Sequence, residues 1–255
     1  MSALEGLVAL VTGGGRGIGR AIAREFGRQG AKVVVSARTR SDLDAVVAAI
    51  EEEGGEARAV VCDAMDRDQV RGVVATALDT FGRVDVLVNN VGGGAPYRKG
   101  RDPDDAFLDN LLLNLMSAVW ATGAALPAMR EQGYGRVINI GSGASKRSGA
   151  SPAYAAAKHG VVGYTRQLAA DVGTQGITVN CLCPGWTNTS LVDWEAMGKA
   201  MGTSGADAKA TAERDNLQHR VLEPEELAPM ATLLAAPAGG GITGQVISVD
   251  GGYKV

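Results

Sequence analysis

Residues 7–19 read LVALVTGGGRGIG, and this stretch near the amino end of the 255-residue chain determines the fold class. The apolar run at 7–11 is typical of a buried strand, and the glycines after it indicate a tight turn into a helix. Backbone N–H groups at such a turn lie close to a bound phosphate, and the helix dipole favours its negative charge. The spacing Gly13-x-x-x-Gly17-x-Gly19 departs from GxGxxG, so the loop alone leaves a plain tight turn as the alternative to a dinucleotide site.

Apolar segments rich in Val and Ile alternate with segments of helical periodicity along the whole chain. This pattern is typical of βαβ units, in which helices cover both faces of a parallel sheet. We predict one α/β domain over residues 1–255, a Rossmann-type doubly wound parallel seven-stranded sheet flanked by helices on both faces. The predicted strands are residues 7–11, 32–37, 57–62, 84–89, 136–140, 178–183 and 246–249. A buried helix is predicted over the apolar stretch 111–129, because its polar residues and Pro127 argue against a membrane span.

Composition limits the classes of partner. With 45% hydrophobic and 21% charged residues, the chain has the make-up of a globular protein, and a net charge of -3 gives no basic surface for nucleic acid or a membrane. Small molecules are the expected partners. Cys62, Cys181 and Cys183 lack the spacing of a metal site and are expected to be core thiols, so no metal is predicted. The amino end shows no secretion signal, which leaves a cytoplasmic location as the expectation.

Tyr154 and Lys158 lie four residues apart in the stretch SPAYAAAK, residues 151–158. Ser151 and Pro152 are typical of the cap and first turn of a helix. Residues at i and i+4 share a helical face, so the phenol is predicted to lie beside the ammonium. Because a nearby positive charge stabilises a phenolate, the pair predicts a proton donor and acceptor.

Ser36-Ala37-Arg38 ends the second predicted strand, where NAD-binding sheets carry an Asp or Glu for the ribose hydroxyls. A guanidinium at this position pairs with a 2′-phosphate and stacks on adenine. The sequence therefore favours NADP(H), with NAD(H) as the alternative. Arg16 adds positive charge in the glycine loop, while Arg40 either contributes further or is a solvated surface residue.

Several motifs occur together in one order along the chain. They are Thr12 to Gly19, Asp63, Asn89-Asn90-Val91-Gly92, Asn114, Ser142, Tyr154 with Lys158, Asn180, Pro184-Gly185 with Thr189, and Ile242-Thr243-Gly244 before Asp250-Gly251-Gly252. On these residues the chain, from residue 6 to residue 253, resembles the classical short-chain dehydrogenase/reductase family.

The resemblance implies an oxidoreductase that uses a nicotinamide cofactor, with Asn114, Ser142, Tyr154 and Lys158 as the catalytic residues. Tyr154 would be the acid in ketone reduction or the base in alcohol oxidation, and Ser142 would polarise the substrate oxygen. Lys158 would also hold the nicotinamide ribose, and Asn114 would anchor a water that relays protons. The predicted cofactor-binding residues are Gly13, Gly15, Arg16, Gly17, Ile18, Gly19, Ser36, Arg38, Asp63, Ala64, Asn90, Val91, Gly92, Tyr154, Lys158, Pro184, Gly185, Thr187 and Thr189. A homotetramer or homodimer is also implied.

Two hydroxyl groups, those of Ser142 and Ser145, follow the fifth predicted strand. Ser142 comes directly at the end of the strand, where the family places its catalytic serine. The gap from Ser142 to Tyr154 is one residue shorter than is common in the family. We predict Ser142 as the catalytic hydroxyl, with Ser145 as the alternative.

Segments 92–100 and 190–218 break the strand–helix alternation after the fourth and sixth strands. Ligands bind beyond the carboxyl ends of the strands in such sheets, so both segments are expected near the ligand. We predict that 190–218 is a mobile lid whose Trp194, Met197 and Met201 cover a substrate. An ordinary pair of surface helices is the alternative.

Segments 158–163 and 183–186 resemble both 3-oxoacyl or polyketide ketoreductases and 3-hydroxybutyrate dehydrogenases. An NADP(H) preference favours reduction, so the leading substrate is a 3-oxoacyl, polyketide-like or other ketone, either free or bound to a carrier protein. Oxidation of a 3-hydroxy acid or another secondary alcohol is the second hypothesis, and a catalytically silent NAD(P)-binding sensor or scaffold is the third. Basic residues at 98–101 and 146–147 would either receive the carrier's phosphopantetheine or be solvated.

Overall fold

Seven strands form one parallel sheet in the computed structural model, which describes residues 2–94, 102–148 and 150–254. The strands are β1 (Val8–Thr12), β2 (Lys32–Ala37), β3 (Glu56–Val61), β4 (Val86–Asn89), β5 (Gly135–Ile140), β6 (Ile177–Pro184) and β7 (Val246–Val249). Their order across the sheet is β3-β2-β1-β4-β5-β6-β7. The predicted fold class is confirmed, and the strand boundaries differ from the predicted ones by one or two residues at most.

Helices cover both faces of the sheet. They are α1 (Gly17–Arg28), α2 (Arg40–Glu52), α3 (Arg67–Phe81), α4 (Pro103–Leu111), α5 (Ser117–Gln132), α6 (Pro152–Val172), α7 (Trp194–Met201), α8 (Gly205–Arg214) and α9 (Ala228–Ala235). Local sequence sets several of their ends. The Asp66 side chain accepts hydrogen bonds from the first-turn N–H groups of α3, and Ser151 caps α6 directly before Pro152.

The core consists of two apolar layers, one on each side of the sheet. On one side α1, α2 and α9 pack residues such as Phe26 and Ile50 against Val11. On the other side α3, α5 and α6 pack residues such as Met129 against Leu10. Neighbouring residues of a strand point to opposite faces, which is why Leu10 and Val11 belong to different layers. Burial on both faces explains the continuous apolar runs that identify the strands in the sequence.

Helices α4 and α5 are joined without a break by a π-helical turn, Leu112–Met116, that the sequence did not predict. The resulting helical stretch, Pro103–Gln132, is long and apolar enough to cross a membrane by length and composition alone, and 39% of its most apolar window is buried. It packs against α3, α6, β4 and β5. These contacts are those of a helix that belongs to the core.

The chain reverses its direction of travel across the sheet between β1 and β4. From β1 it proceeds outward through β2 to β3, and it then returns to β4 and continues to β7 on the other side. The connections that leave β1 and β4 therefore diverge, and a crevice opens at the carboxyl ends of these two strands. Ligands of open α/β sheets bind at such a switch point.

Candidate active site

A cleft of about 760 Å³ opens at the carboxyl ends of the strands, beside the switch point. The predicted catalytic and cofactor-binding residues all line this cleft except Gly19 and Asn114. Gly19 lies beneath the glycine loop, where a Cβ would collide with the Gly13 carbonyl. The structure therefore brings together residues that are far apart in the sequence, from the first strand to the turn after β6.

The glycine loop has the features of a phosphate cradle. Gly17 adopts a positive φ of 53°, which favours glycine, and Arg16 at the N-cap of α1 makes no side-chain capping bond. The first-turn N–H groups of α1 therefore remain available to an anion. The Thr12 hydroxyl fastens the loop to β4, since it donates to the Val88 carbonyl at 3.2 Å and accepts from the Asn90 N–H at 3.1 Å. These residues fit a dinucleotide pyrophosphate.

The far end of the cleft, beyond β2 and β3, contains several polar and charged side chains. Ser36, Arg38, Asp63 and Ala64 line it as predicted, with Arg38 exposed on the rim. Asp42, in the first turn of α2, lines the same cleft and was not predicted.

Arg40 takes no part in this end of the cleft. Its guanidinium bonds to the Asp44 carboxylate at 2.7 Å, and Arg40 does not line the cleft. Of the two readings of Arg40, the geometry therefore favours a surface residue. Arg38 is the cation that faces the cleft at this end among the described residues.

Tyr154 and Lys158 share one face of α6, as their spacing predicts. The Lys158 Nζ atom lies 5.8 Å from the centre of the Tyr154 ring. Lys158 is only 2% exposed, and its ammonium donates a 2.9 Å hydrogen bond to the Ile140 carbonyl at the end of β5. The sheet thus fixes the position of the ammonium beside the phenol.

Gly92 lies against Lys158 on the opposite wall. A Cβ at Gly92 would lie 2.8 Å from the Lys158 Nζ and 3.0 Å from the Asn114 Oδ1, so the backbone approaches closely. Asn114 accepts from the Gly93 N–H at 2.8 Å and donates to the Gly93 carbonyl at 2.9 Å. The π-helical turn presents Asn114 for these two bonds. Asn114 therefore supports the segment that faces Lys158 and does not itself line the cleft.

Ser142 and Ser145 have different environments. Ser142 lines the cleft, and its Oγ accepts from the Ala144 N–H at 3.1 Å. Ser145 is 4% exposed and does not line the cleft, and its Oγ accepts from the Ser142 N–H at 3.0 Å. The geometry favours Ser142 as the hydroxyl that meets a substrate, with Ser145 as its support.

Cys181 and Cys183 are fully buried on β6 below Gly141, with their sulfur atoms 3.7 Å apart. The hydrogen bond between the two thiols lowers the pKa of Cys183 and raises the pKa of Cys181. Burial raises the pKa of Cys62 to about 11. Among the described residues no group of three or more His, Cys, Asp or Glu side chains could hold a metal ion.

The segment after β6 forms the remaining wall. Pro184, Gly185, Thr187 and Thr189 line the cleft as predicted, and pairing of Thr187 with Leu222 holds this turn in place.

The predicted lid, residues 190–218, contains α7 and α8, which pack against each other. Met197 of α7 lines the cleft, whereas Met201 is exposed. Movement of this segment stays a prediction. The other segment predicted near the ligand is 92–100. Its residues 95–100, which include Arg98 and Lys99, lie outside the described residues.

Several cleft residues escaped sequence reasoning. Trp186 and Tyr253 line the cleft, as do Leu191 and Val192. Trp186 follows Pro184-Gly185 directly, so its place after a strand end could have suggested it. Tyr253 carries no comparable signal, because only the tertiary fold returns the end of the described chain to the cleft.

Comparison with known proteins identifies the family. Residues 7–198 match the model of the short chain dehydrogenase family. The chain belongs to this family. Its members are oxidoreductases that bind a nicotinamide cofactor, and the cleft described above has the residues to hold one.

Relatives of the chain include reductases of acyl and polyketide substrates. Short-chain reductase protein NovJ of Streptomyces niveus is 39% identical over 248 residues, which cover 96% of this chain and 93% of that protein. A 3-oxoacyl-[acyl-carrier-protein] reductase of Synechocystis is 39% identical over 258 residues, with 99% of this chain and 98% of that protein covered. A crystal structure of an actinorhodin polyketide ketoreductase variant with NADPH matches with a TM-score of 0.92 and 34% identity, and covers 100% of this chain and 99% of its own. The chain is therefore an oxidoreductase of the ketoreductase type.

Proposed function

We propose that the protein reduces a ketone to a secondary alcohol with NADPH, and that Tyr154 is the general acid. The observation that carries the proposal is the convergence of Tyr154, Ser142 and Lys158 on one cleft whose other end is lined by Arg38. A cofactor that extends from Arg38 across the glycine loop would end beside the phenol. Relatives that reduce 3-oxoacyl and polyketide substrates support the same direction of reaction.

Two hydroxyl groups are available to the carbonyl oxygen of a substrate. The Ser142 Oγ accepts from the Ala144 N–H, which leaves its hydrogen to donate toward the cleft. Tyr154 lines the same cleft and would donate the second hydrogen bond. As negative charge develops on the oxygen, Tyr154 transfers its proton while Ser142 continues to donate. The bound nicotinamide supplies the hydride.

Lys158 assists Tyr154 through its hydrogen-bond donors and its positive charge. Its ammonium has three hydrogens, and one of them is used by the Ile140 carbonyl. The other two are available to the cofactor's ribose and to a proton path. Its positive charge favours the phenolate that Tyr154 becomes after proton transfer. The Gly92 backbone approaches the ammonium so closely from the other side that it leaves no room for a larger side chain at position 92.

The preference for NADPH rests on charge at the far end of the cleft. Arg38 lines the cleft at the end of β2 and would pair with a 2′-phosphate. Ser36 and Ala37 place no carboxylate at the strand end, where an NAD-binding site would have one. The carboxylate nearest to Arg38 in the sequence that lines the cleft is that of Asp42. It lies in the first turn of α2 and not at the end of β2.

Fluorescence titration with NADPH and NADH, followed by a panel of ketones and alcohols monitored at the nicotinamide absorbance, tests the proposal. We expect tighter binding of NADPH and its oxidation by at least one ketone. Faster reduction of NADP⁺ or NAD⁺ by a 3-hydroxy acid would favour the dehydrogenase instead. Binding of NADPH with no turnover of any substrate would favour a sensor.

A further inference from the structure

The half of the cleft beyond β5 and β6 carries the aromatic side chains that line the cleft among the described residues. We define the substrate wall as Trp186, Leu191, Val192, Met197 and Tyr253, all of which line the cleft on this side. Their side chains are apolar or aromatic. The substrate wall therefore offers apolar contact area close to Ser142 and Tyr154.

Among the described residues, the charged side chains in this half of the cleft are those of Lys158 and Asp193. Asp193 lines it, and its carboxylate accepts from the Ala196 N–H at 2.9 Å. Apart from Lys158, the cations that line the cleft among the described residues are Arg16 and Arg38, which follow β1 and β2. Within the part of the chain that the structure describes, a substrate carboxylate held against this wall would find no cation other than Lys158 and would meet Asp193.

Trp186 lies at the centre of an aromatic cluster. Its ring centre lies 6.4 Å from that of Tyr253 in an edge-to-face arrangement, and 5.6 Å from that of Trp194. The Leu222 N–H donates to the Trp186 carbonyl at 2.9 Å, which fixes the backbone. Both ring distances are those of favourable aromatic pairs, so the two neighbours stabilise the position of the Trp186 ring.

Tyr253 touches the loop that carries the catalytic hydroxyl. A Cβ at Gly143 would lie 2.6 Å from the Tyr253 Cδ1, so the ring lies directly on the residue after Ser142. The backbone around Tyr253 is also fixed, because the Lys254 N–H donates to the Asp215 carbonyl at 2.8 Å. Tyr253 is 7% exposed and presents only part of its ring to the cleft.

We propose that Trp186 and Tyr253 form the binding surface for an aromatic ring that the ketone carries next to its carbonyl group. The inference rests on the proposed function, because Ser142 and Tyr154 define where the carbonyl lies. It assigns the substrate class as an uncharged ketone with an aryl substituent, in place of a short 3-oxo acid with a free carboxylate. Trp186 and Tyr253 are then the residues that determine specificity.

Three related substrates test this assignment with NADPH. Ethyl benzoylacetate carries a phenyl group at the ketone, ethyl acetoacetate has a methyl group there, and acetoacetate also has a free carboxylate. We expect kcat/KM to be at least roughly tenfold higher for the phenyl ester than for the methyl ester, with acetoacetate lowest. Equal values for the two esters, or a preference for acetoacetate, would overturn the inference and leave ketone reduction standing.

Variants at Tyr253 separate a specificity role from a structural one. Tyr253→Leu is expected to lower the ratio of kcat/KM for ethyl benzoylacetate to that for ethyl acetoacetate roughly three- to tenfold. Tyr253→Phe keeps the ring and is the matched control, with wild-type discrimination expected. Trp186→Leu with Trp186→Phe repeats the comparison if Tyr253→Leu fails to fold. An equal loss with both esters would show a structural role and contradict the proposal.

A binding measurement separates this inference from the proposed function. Calorimetric titration of ethyl benzoylacetate into the enzyme with NADP⁺ needs no turnover. Binding by the wild type and by Tyr253→Phe, with at least a threefold weaker affinity in Tyr253→Leu, supports the aromatic surface even if no ketone is reduced. Equal affinity in all three proteins refutes it.

Discussion

The ammonium of Lys158 lies 5.8 Å from the centre of the Tyr154 ring, and both residues project from α6 into the cleft wall. The Ile140 carbonyl holds the ammonium, so the last residue of β5 determines where the positive charge lies relative to the phenol. The central sheet and α6 thus meet at the proposed proton donor.

Replacing Tyr154 by Phe removes the proposed acid and keeps the ring. We expect kcat to fall by roughly 10²- to 10⁴-fold, because general acid catalysis contributes about that much. Affinity for NADPH, measured by fluorescence titration, should change little. Tyr164→Phe is the matched control, since Tyr164 lies on the same helix but packs in the core. Wild-type turnover in Tyr154→Phe would refute the assigned role.

Single Ser→Ala variants distinguish Ser142 from Ser145. We expect the larger loss of kcat for Ser142→Ala, because this hydroxyl lines the cleft. Ser145→Ala removes the acceptor of the Ser142 N–H, so it is expected to lower the free energy of unfolding by about 1–3 kcal/mol with a smaller loss of kcat. Kinetics and urea unfolding of both variants measure the two effects. A larger kcat loss for Ser145→Ala would reverse the assignment.

The double variant Ala37→Asp with Arg38→Ala tests the cofactor preference. The new carboxylate would accept from ribose hydroxyls and repel a 2′-phosphate, and the pairing cation would be gone. We expect the ratio of kcat/KM for NADPH to that for NADH to fall by at least about tenfold. Arg40→Ala is the control, because Arg40 pairs with Asp44 outside the cleft. An unchanged ratio in the double variant would contradict the NADPH assignment.

Gly92→Ala tests the close approach of the backbone to Lys158. The added methyl group would lie 2.8 Å from the Lys158 Nζ and 3.0 Å from the Asn114 Oδ1, so it must displace one of them. Because misplacement by about 1 Å costs roughly 10²-fold in rate, we expect a kcat loss of about that size. Gly94→Ala is the matched control, since its Cβ would meet no atom of the described residues within 4 Å. Equal effects of the two variants would show that the contact at Gly92 is unimportant.

The ion pair of Arg220 and Glu226 predicts a pH dependence of stability. Hydrogen bonds from Arg220, at 2.7 and 2.6 Å, lower the pKa of Glu226 to about 2 from a usual value of 4.5. The pair therefore stabilises the fold above about pH 4.5, and this contribution is lost as the pH falls toward 2. Both side chains are more than a third exposed, so we expect no more than about 1 kcal/mol.

Glu226→Gln should accordingly be less stable than the wild type in urea unfolding at pH 7. The difference should narrow as the pH falls from about 4.5 to 2. Glu225→Gln, at an exposed position in the same turn, is the control. A difference that stays constant across this range would show that the ion pair is not its source.

The fold could be predicted from the sequence because β1 to β7 are largely apolar runs that a two-faced sheet buries. The apolar runs also locate the strand ends, and ligands bind beyond them. The cleft residues that follow strand ends, such as Arg38 and Ser142, could therefore be predicted as well. The orientation of Asn114 could not, because it depends on a π-helical turn that no residue type specifies. Tyr253 reaches the cleft through tertiary packing on Gly143, which no local pattern encodes. The homotetramer or homodimer, the cytoplasmic location and the mobility of 190–218 remain predictions.

The π-helical turn at Leu112–Met116 adds a residue to one turn of the helical stretch Pro103–Gln132. If the same residues were wound as ordinary α-helix, everything before the turn would be rotated by about 100° around the axis. Phe107 and Leu108, now exposed on α4, would swing to a different side of the protein. The direction in which this end of the helix presents its apolar side chains is therefore set by one wide turn, which accommodates an extra residue without re-aiming that surface.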